Sequence, residues 1–228
     1  MAQDAFKLLD KLKWVNVHLV GLSMGGMVAQ ELAVQLGTRV SSLSLVSTYS
    51  NFNGIPYTSI FRVFSGSLTK SISMDSYCEL MVDLLFPKEW QNDECLLDPT
   101  YKTNREYMLR FFLERYSQTG FQDWIGRIGQ QTAALSHFCD TRLEAIEALK
   151  YPILVMAGDK DEVIRQPESS QYLAEKLNAV MAVYCGGGHA LRFQARDWHD
   201  RLLLQTINAG IRRRASNLGQ MEVLHGDS

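Results

Sequence analysis

Val15-Asn16-Val17-His18-Leu19-Val20-Gly21-Leu22-Ser23-Met24-Gly25-Gly26 decides how this chain is read. Val15, Val17, Leu19 and Val20 make a short, valine-rich apolar run, long enough for a buried parallel strand and too short for a typical helix. Gly21-Leu22-Ser23-Met24-Gly25 then fits G-x-S-x-G, and a helical pattern follows at once. A serine on a tight strand-to-helix turn has a strained backbone and a lifted Oγ. A side chain two residues before or after it is expected to clash, which accounts for glycine at 21 and 25. The first amide of the helix, that of Met24, is placed to donate to a developing oxyanion.

Working outward, residues 2–13 read as a helix with Ala5, Phe6, Leu8, Leu9 and Leu12 on one side. After the serine, Val28, Leu32 and Leu36 recur at helical spacing over about 24–36, and Gly37 closes the run. Further strands are expected at about 40–47, at 152–157 before Gly158, and at 181–185 before Gly186-Gly187-Gly188. Helices at about 168–177 and 195–213 complete the alternation, which implies an α/β fold with a parallel sheet and helices on both faces. Residues 215–228 read as a loose polar tail, and Arg212-Arg213-Arg214 as a solvated helix end.

One segment breaks the pattern. Residues 49–140 hold 16 of the 23 aromatics, among them Phe52, Phe61, Phe64, Trp90, Phe111, Phe112, Phe121 and Trp124, in amphipathic helical stretches without a clear strand. Most of these rings are expected to pack a small core of their own. A few are expected to face a pocket, where an apolar cover excludes water.

The totals exclude several classes of function. A net charge of −2 gives no footprint for nucleic acid or an anionic membrane. No apolar run approaches the length of a membrane span, and the first residues lack the pattern of a secretory signal. Cys78, Cys95, Cys139 and Cys185 show no C-x-x-C spacing, so they read as reduced thiols of a cytoplasmic protein, with no metal site.

The stretch from Gly21 through Gly26 and on to Met27-Val28-Ala29-Gln30-Glu31-Leu32-Ala33 resembles the nucleophile elbow of the α/β-hydrolase superfamily, nearest its branch of small esterases, enol-lactonases and cofactor-free haloperoxidase-like enzymes. The resemblance runs from about residue 2 to about residue 212. It implies residues 1–50 and 141–214 as hydrolase core, 51–140 as a helical lid, and 215–228 as a tail. It also implies an order of serine, acid and histidine, each just after a strand. His189 follows the last strand and its glycines, at the strand end where open parallel sheets bind ligands. His18 lies within the first strand, His137 in the lid, His199 on the last helix and His225 in the tail. In Gly158-Asp159-Lys160-Asp161-Glu162 the family's spacing selects Asp161, with Asp159 as rival. Ser47-Thr48-Tyr49-Ser50 offers no carboxylate after the second strand. Ser23 argues against the related branches that use aspartate as nucleophile.

The resemblance therefore implies a hydrolase with Ser23, Asp161 and His189 as triad and Met24 as oxyanion donor, needing no cofactor or metal. The expected substrate is a small, uncharged ester, lactone or thioester with an apolar acyl group. Two alternatives stand beside it: hydrolysis of a carbon–carbon bond next to a ketone by the same triad, and a non-catalytic shortened form that binds ligands or a partner chain. The second draws on a gap. The family places about four strands and a second oxyanion loop, often carrying His-Gly, before the elbow strand; here the only His-Gly is His225-Gly226. The sequence thus resembles the C-terminal two-thirds or so of a hydrolase.

Overall fold

The computed structural model describes residues 1–51, 72–120 and 123–225. Four strands, β1 (Val17–Leu22), β2 (Val40–Val46), β3 (Ile153–Gly158) and β4 (Val180–Tyr184), form one sheet in the order β1-β2-β3-β4. Every pair is parallel, with Leu19 opposite Leu43, Leu43 opposite Ile153, and Leu154 opposite Val180. Parallel neighbours need crossovers. Helix α2 (Met24–Leu36) links β1 to β2, and α8 (Glu168–Leu177) links β3 to β4. A long helical segment links β2 to β3.

The strand side chains divide with period two. Leu43, Leu45, Ile153 and Val155 pack with α2, with α7 (Asp140–Glu147) and with α8, through Leu32, Leu143, Ile146 and Leu173. Val46, Leu154 and Met156 point the other way, toward Leu191, Trp198 and Leu202 on α9 (Leu191–Gln194) and α10 (Arg196–His225). Helices on both faces follow from this division, and β2 and β3 are buried along their whole length.

β1 departs from the expectation of a buried strand. It begins at Val17, so Val15 lies ahead of it and is exposed, as are Val20 and Leu22 on one face. Val17, Leu19 and Gly21 are covered and His18 is half-covered, because β1 is an edge of the described sheet. Helix α1 (Ala2–Lys11) is corrected in the same way: Ala2, Ala5, Phe6 and Leu9 touch the core, while Leu8 and Leu12 face solvent. Spacing of i, i+3, i+4 and i+7 makes that stripe narrower than the apolar content suggests.

Two expectations at the C-terminal end are also revised. Helix α10 runs to His225, so residues 215–225 are helical rather than loose. Their Ala, Leu, Gln, Met and Glu are good helix formers that propagate an existing helix. Within Arg212-Arg213-Arg214 only Arg212 is exposed, and the other two are half-buried. Arg213 donates to Leu149 O at 2.6 Å, and Arg214 donates to Ser41 Oγ at 2.6 Å and to Val40 O at 3.0 Å, closing carbonyls at the start of β2.

The segment between β2 and β3 contains α3 (Met74–Leu85), α4 (Lys88–Asn92), α5 (Asn104–Thr119) and α6 (Trp124–Leu135). Ser73, Thr103 and Asp123 cap three of them through side-chain oxygens that accept from Ser76 N, Glu106 N and Ile125 N. Cys78, Val82, Phe86, Met108 and Phe112 make a core of their own there, with Trp90 stacked on Phe86 at 4.8 Å. That core also takes in Ala190 and Phe193, which follow β4, so it bears on the loop carrying His189. Phe52, Phe61, Phe64 and Phe121 lie outside the described residues.

Candidate active site

Ser23 stands between β1 and α2 with φ 53° and ψ −122°. A non-glycine residue held there costs on the order of 1–3 kcal/mol, so its surroundings must hold it. Ser23 N donates to Val46 O at 2.9 Å, tying the turn to β2. Ser23 O accepts from Gly26 N at 2.9 Å and from Thr48 Oγ1 at 2.7 Å. The Ser23 side chain does not cap α2, and the residue is half-buried. Met24 supplies the first amide of α2, which has no intrahelical acceptor.

The glycines of the elbow divide differently from the motif. A Cβ on Gly21 would collide with Gly25 O, as expected. A Cβ on Gly25 would meet nothing within 4 Å, because that position faces solvent. The second steric glycine is Gly26, whose Cβ would lie 2.6 Å from Thr48 Cγ2. Thr48 is held by its bond to Ser23 O and cannot swing aside. Gly25→Ala is thus expected to raise stability by about 0.5–1 kcal/mol through helix propensity, and Gly26→Ala to lower it by about 1–3 kcal/mol through overpacking. Urea unfolding of both variants checks this; equal effects would remove the steric assignment.

Asp161 and His189 come from the loops after β3 and β4. His189 Nδ1 lies 2.8 Å from Asp161 Oδ2, and both side chains are buried. Asp161 Oδ1 accepts from Val163 N at 2.8 Å and Ile164 N at 3.0 Å, so both carboxylate oxygens are engaged. An ionised carboxylate can only accept, which places the imidazole proton on Nδ1 and leaves a lone pair on Nε2. Asp159 does something else: its Oδ1 accepts from Gly186 N at 2.7 Å, bracing the turn before His189. Lys160 N donates to Gly187 O at 2.8 Å, and a Cβ on Gly158 would collide with that same carbonyl. The two loops are thus pressed backbone to backbone. From the other side, Ala190 N donates to Leu85 O at 3.2 Å.

Ser23, Asp161 and His189 all lie at the C-terminal ends of parallel strands. Asp161 and His189 are hydrogen-bonded to each other, and among the described residues no hydrogen bond links Ser23 to either. Such contacts are often long before substrate binds. The other histidines have different surroundings. His18 Nδ1 lies 2.8 Å from Ser42 Oγ, with its pKa lowered by burial and then by Arg214. His199 Nδ1 lies 2.8 Å from Asp200 Oδ1. His225 ends α10. His137 is buried beside Glu31, whose carboxylate is gripped by Arg142 at 2.6 and 2.5 Å.

Sequence reading missed two groups here. Asp140, from α7, meets the loop after β2: it accepts from Ser50 Oγ, from Asn51 Nδ2 at 2.6 Å and from Tyr172 Oη at 3.0 Å. The other is the Glu31, His137 and Arg142 group. Both join residues far apart in the chain, and no local spacing signals them. Among the described residues no three His, Cys, Asp or Glu side chains form a metal-holding group, and no helix is long and apolar enough to cross a membrane.

Residues 2–201 match the sequence profile of a family described as "Alpha/beta hydrolase family". A protein named "Putative carbamate hydrolase RutD" from Pseudomonas savastanoi pv. phaseolicola is 28% identical over 215 residues, covering 92% of this chain and 74% of that protein. Its namesake from Variovorax paradoxus is 31% identical over 196 residues, covering 83% of this chain and 65% of its own length. The crystal structure of the enol-lactonase from Burkholderia xenovorans matches with a TM-score of 0.70 at 19% identity, covering 91% of this chain and 71% of that one. The chain thus spans 65–74% of the length of these two sequence relatives.

Proposed function

This chain belongs to the alpha/beta hydrolase family, and on that premise we propose that it is a serine hydrolase that transfers an acyl group to water. Ser23 Oγ attacks the substrate carbonyl while His189 Nε2 takes the hydroxyl proton. The tetrahedral oxyanion accepts from Met24 N–H. His189 returns the proton to the leaving group, then activates the water that releases the acyl group. Asp161 holds the Nδ1–H tautomer throughout. Residues 1–50 and 141–214 serve as the catalytic core in this reading, and 51–140 as its lid.

The observation that carries the reading is the buried Asp161–His189 hydrogen bond of 2.8 Å, at the same end of the sheet as the strained serine. Suitable substrates are small, uncharged esters, lactones and thioesters with an apolar acyl group. Carbamates, for which the sequence relatives are named, share the heteroatom-flanked carbonyl. The test is a fluorophosphonate probe followed by peptide mapping. A label on Ser23 supports the hydrolase; a folded chain that takes no label would be a binding module instead.

A further inference from the structure

The Met24 N–H that faces the oxyanion in this reading shares one peptide plane with the carbonyl of Ser23. In a trans peptide the N–H and the C=O point in opposite directions, so whatever fixes Ser23 O also aims Met24 N–H. That plane is not where the backbone alone would leave it: φ 53° and ψ −122° at Ser23 lie outside the regions open to residues with a Cβ. Ser23 O accepts from Gly26 N at 2.9 Å and from Met27 N at 3.4 Å, both in the first turn of α2. A third donor comes from outside the helix. Thr48 Oγ1 donates to Ser23 O at 2.7 Å, the shortest of the three bonds.

Thr48 is itself firmly placed. The residue is wholly buried. Its predecessor is tied to β3, Ser47 N donating to Met156 O at 2.9 Å, and its successor to α2, Gln30 Nε2 donating to Tyr49 O at 3.0 Å. Its side chain fills the space beside Gly26, where a Cβ would come within 2.7 Å of Oγ1. A hydroxyl clamped in this way does two things to the peptide it bonds. It fixes the direction of Met24 N–H. It also draws electron density toward Ser23 O, which makes the N–H a stronger donor, because hydrogen bonds in series polarise one another.

We infer that Thr48 is a positioning residue for the oxyanion, acting through the Ser23–Met24 peptide rather than on the substrate. The inference rests on Ser23 being the nucleophile and Met24 N–H the oxyanion donor.

The test uses 4-nitrophenyl butyrate and butylboronic acid on the full chain. Boron takes Ser23 Oγ while the serine proton passes to His189, leaving a tetrahedral anion with an oxygen at the oxyanion position. Thr48→Ala is expected to lower kcat about tenfold and to weaken the boronic acid by the same factor, the worth of one hydrogen bond, with KM within about twofold of the parent. Thr48→Ser returns the hydroxyl and is expected to bring both values within about threefold of the parent. The Met24 amide resonance is expected to shift in the alanine variant and to return in the serine variant. Loss of stability alone would lower kcat through the amount of folded chain and leave the boronic-acid affinity unchanged. A folded Thr48→Ala with the parent's kcat and boronic-acid affinity, or with an unmoved Met24 amide, overturns the inference. Should that variant misfold, the parent carries the test: the boronic acid is expected to shift the Met24 amide proton and the slowly exchanging Thr48 hydroxyl proton together, and a hydroxyl proton that does not respond overturns the inference. A parent that takes no fluorophosphonate label on Ser23 refutes the nucleophile and this role with it, whereas a labelled parent that fails the comparisons above refutes only the role of Thr48.

Discussion

Ser23→Ala is expected to abolish fluorophosphonate labelling and to cut any turnover of a nitrophenyl ester by about 10⁴–10⁶-fold, the loss seen when a triad member is removed. The large figure follows from chemistry. Without Oγ no acyl-enzyme can form, and what survives is only the rate due to binding and to the oxyanion donor. The fold should not suffer in parallel. The hydroxyl does not cap α2, and the turn is held by backbone groups: Ser23 N to Val46 O, and Thr48 Oγ1 to Ser23 O. Circular dichroism and urea unfolding of the variant should therefore match the parent within about 0.5 kcal/mol. Full turnover in the variant would remove Ser23 from the mechanism.

The second large effect separates two neighbouring carboxylates. Asp161→Asn is expected to lower kcat by about 10⁴, by analogy with the protease triad, with KM little changed. The structure supplies the reason an isosteric change is so costly. Asp161 Oδ1 is pinned by the amides of Val163 and Ile164. In the asparagine variant the amide oxygen must stay there, which turns the NH₂ toward His189 Nδ1. That donor forces the imidazole into the opposite tautomer, with its proton on Nε2 and no lone pair left for the serine hydroxyl. Asp159→Asn keeps an oxygen for Gly186 N and should cost less than about tenfold. The reverse ranking would make Asp159 the orienting group.

The parallel sheet and its strands were legible in the sequence because their apolar runs end in Gly21, Gly158 and Gly186, where the chain turns or two backbones touch. Helix α8 was read at its observed bounds, which lie between Pro167 and a left-handed Asn178. The loops that bring Asp161 and His189 together were legible from their place after strands, and a motif spacing favoured Asp161 over Asp159. Burial was less legible. Val20 and Leu22 look like core residues, yet exposure depends on what lies beside β1, and composition does not record a neighbour. Gly25 was given the steric role that belongs to Gly26, because a motif lists residues without saying which one Thr48 touches. Arg213 and Arg214 read as solvated charge, because carbonyls at Leu149, Thr38 and Val40 are brought to them only by the fold.

The clasp between the loops after β3 and β4 gives the site a simple mechanics. The proposed acid and base, Asp161 and His189, sit on two loops joined by the close approach of Gly158 to Gly187 and by the hydrogen bond from Gly186 N to Asp159. The serine belongs to another piece, anchored through Val46 at the end of β2. The two pieces meet where β2 pairs with β3, with Ser47 N donating to Met156 O at 2.9 Å, so the distance from serine to imidazole is set by how these two strands pair. Substitutions that alter the twist of β2 should detune the reaction without touching any group that takes part in it, much as a misplaced hinge spoils a pair of jaws whose teeth are sound.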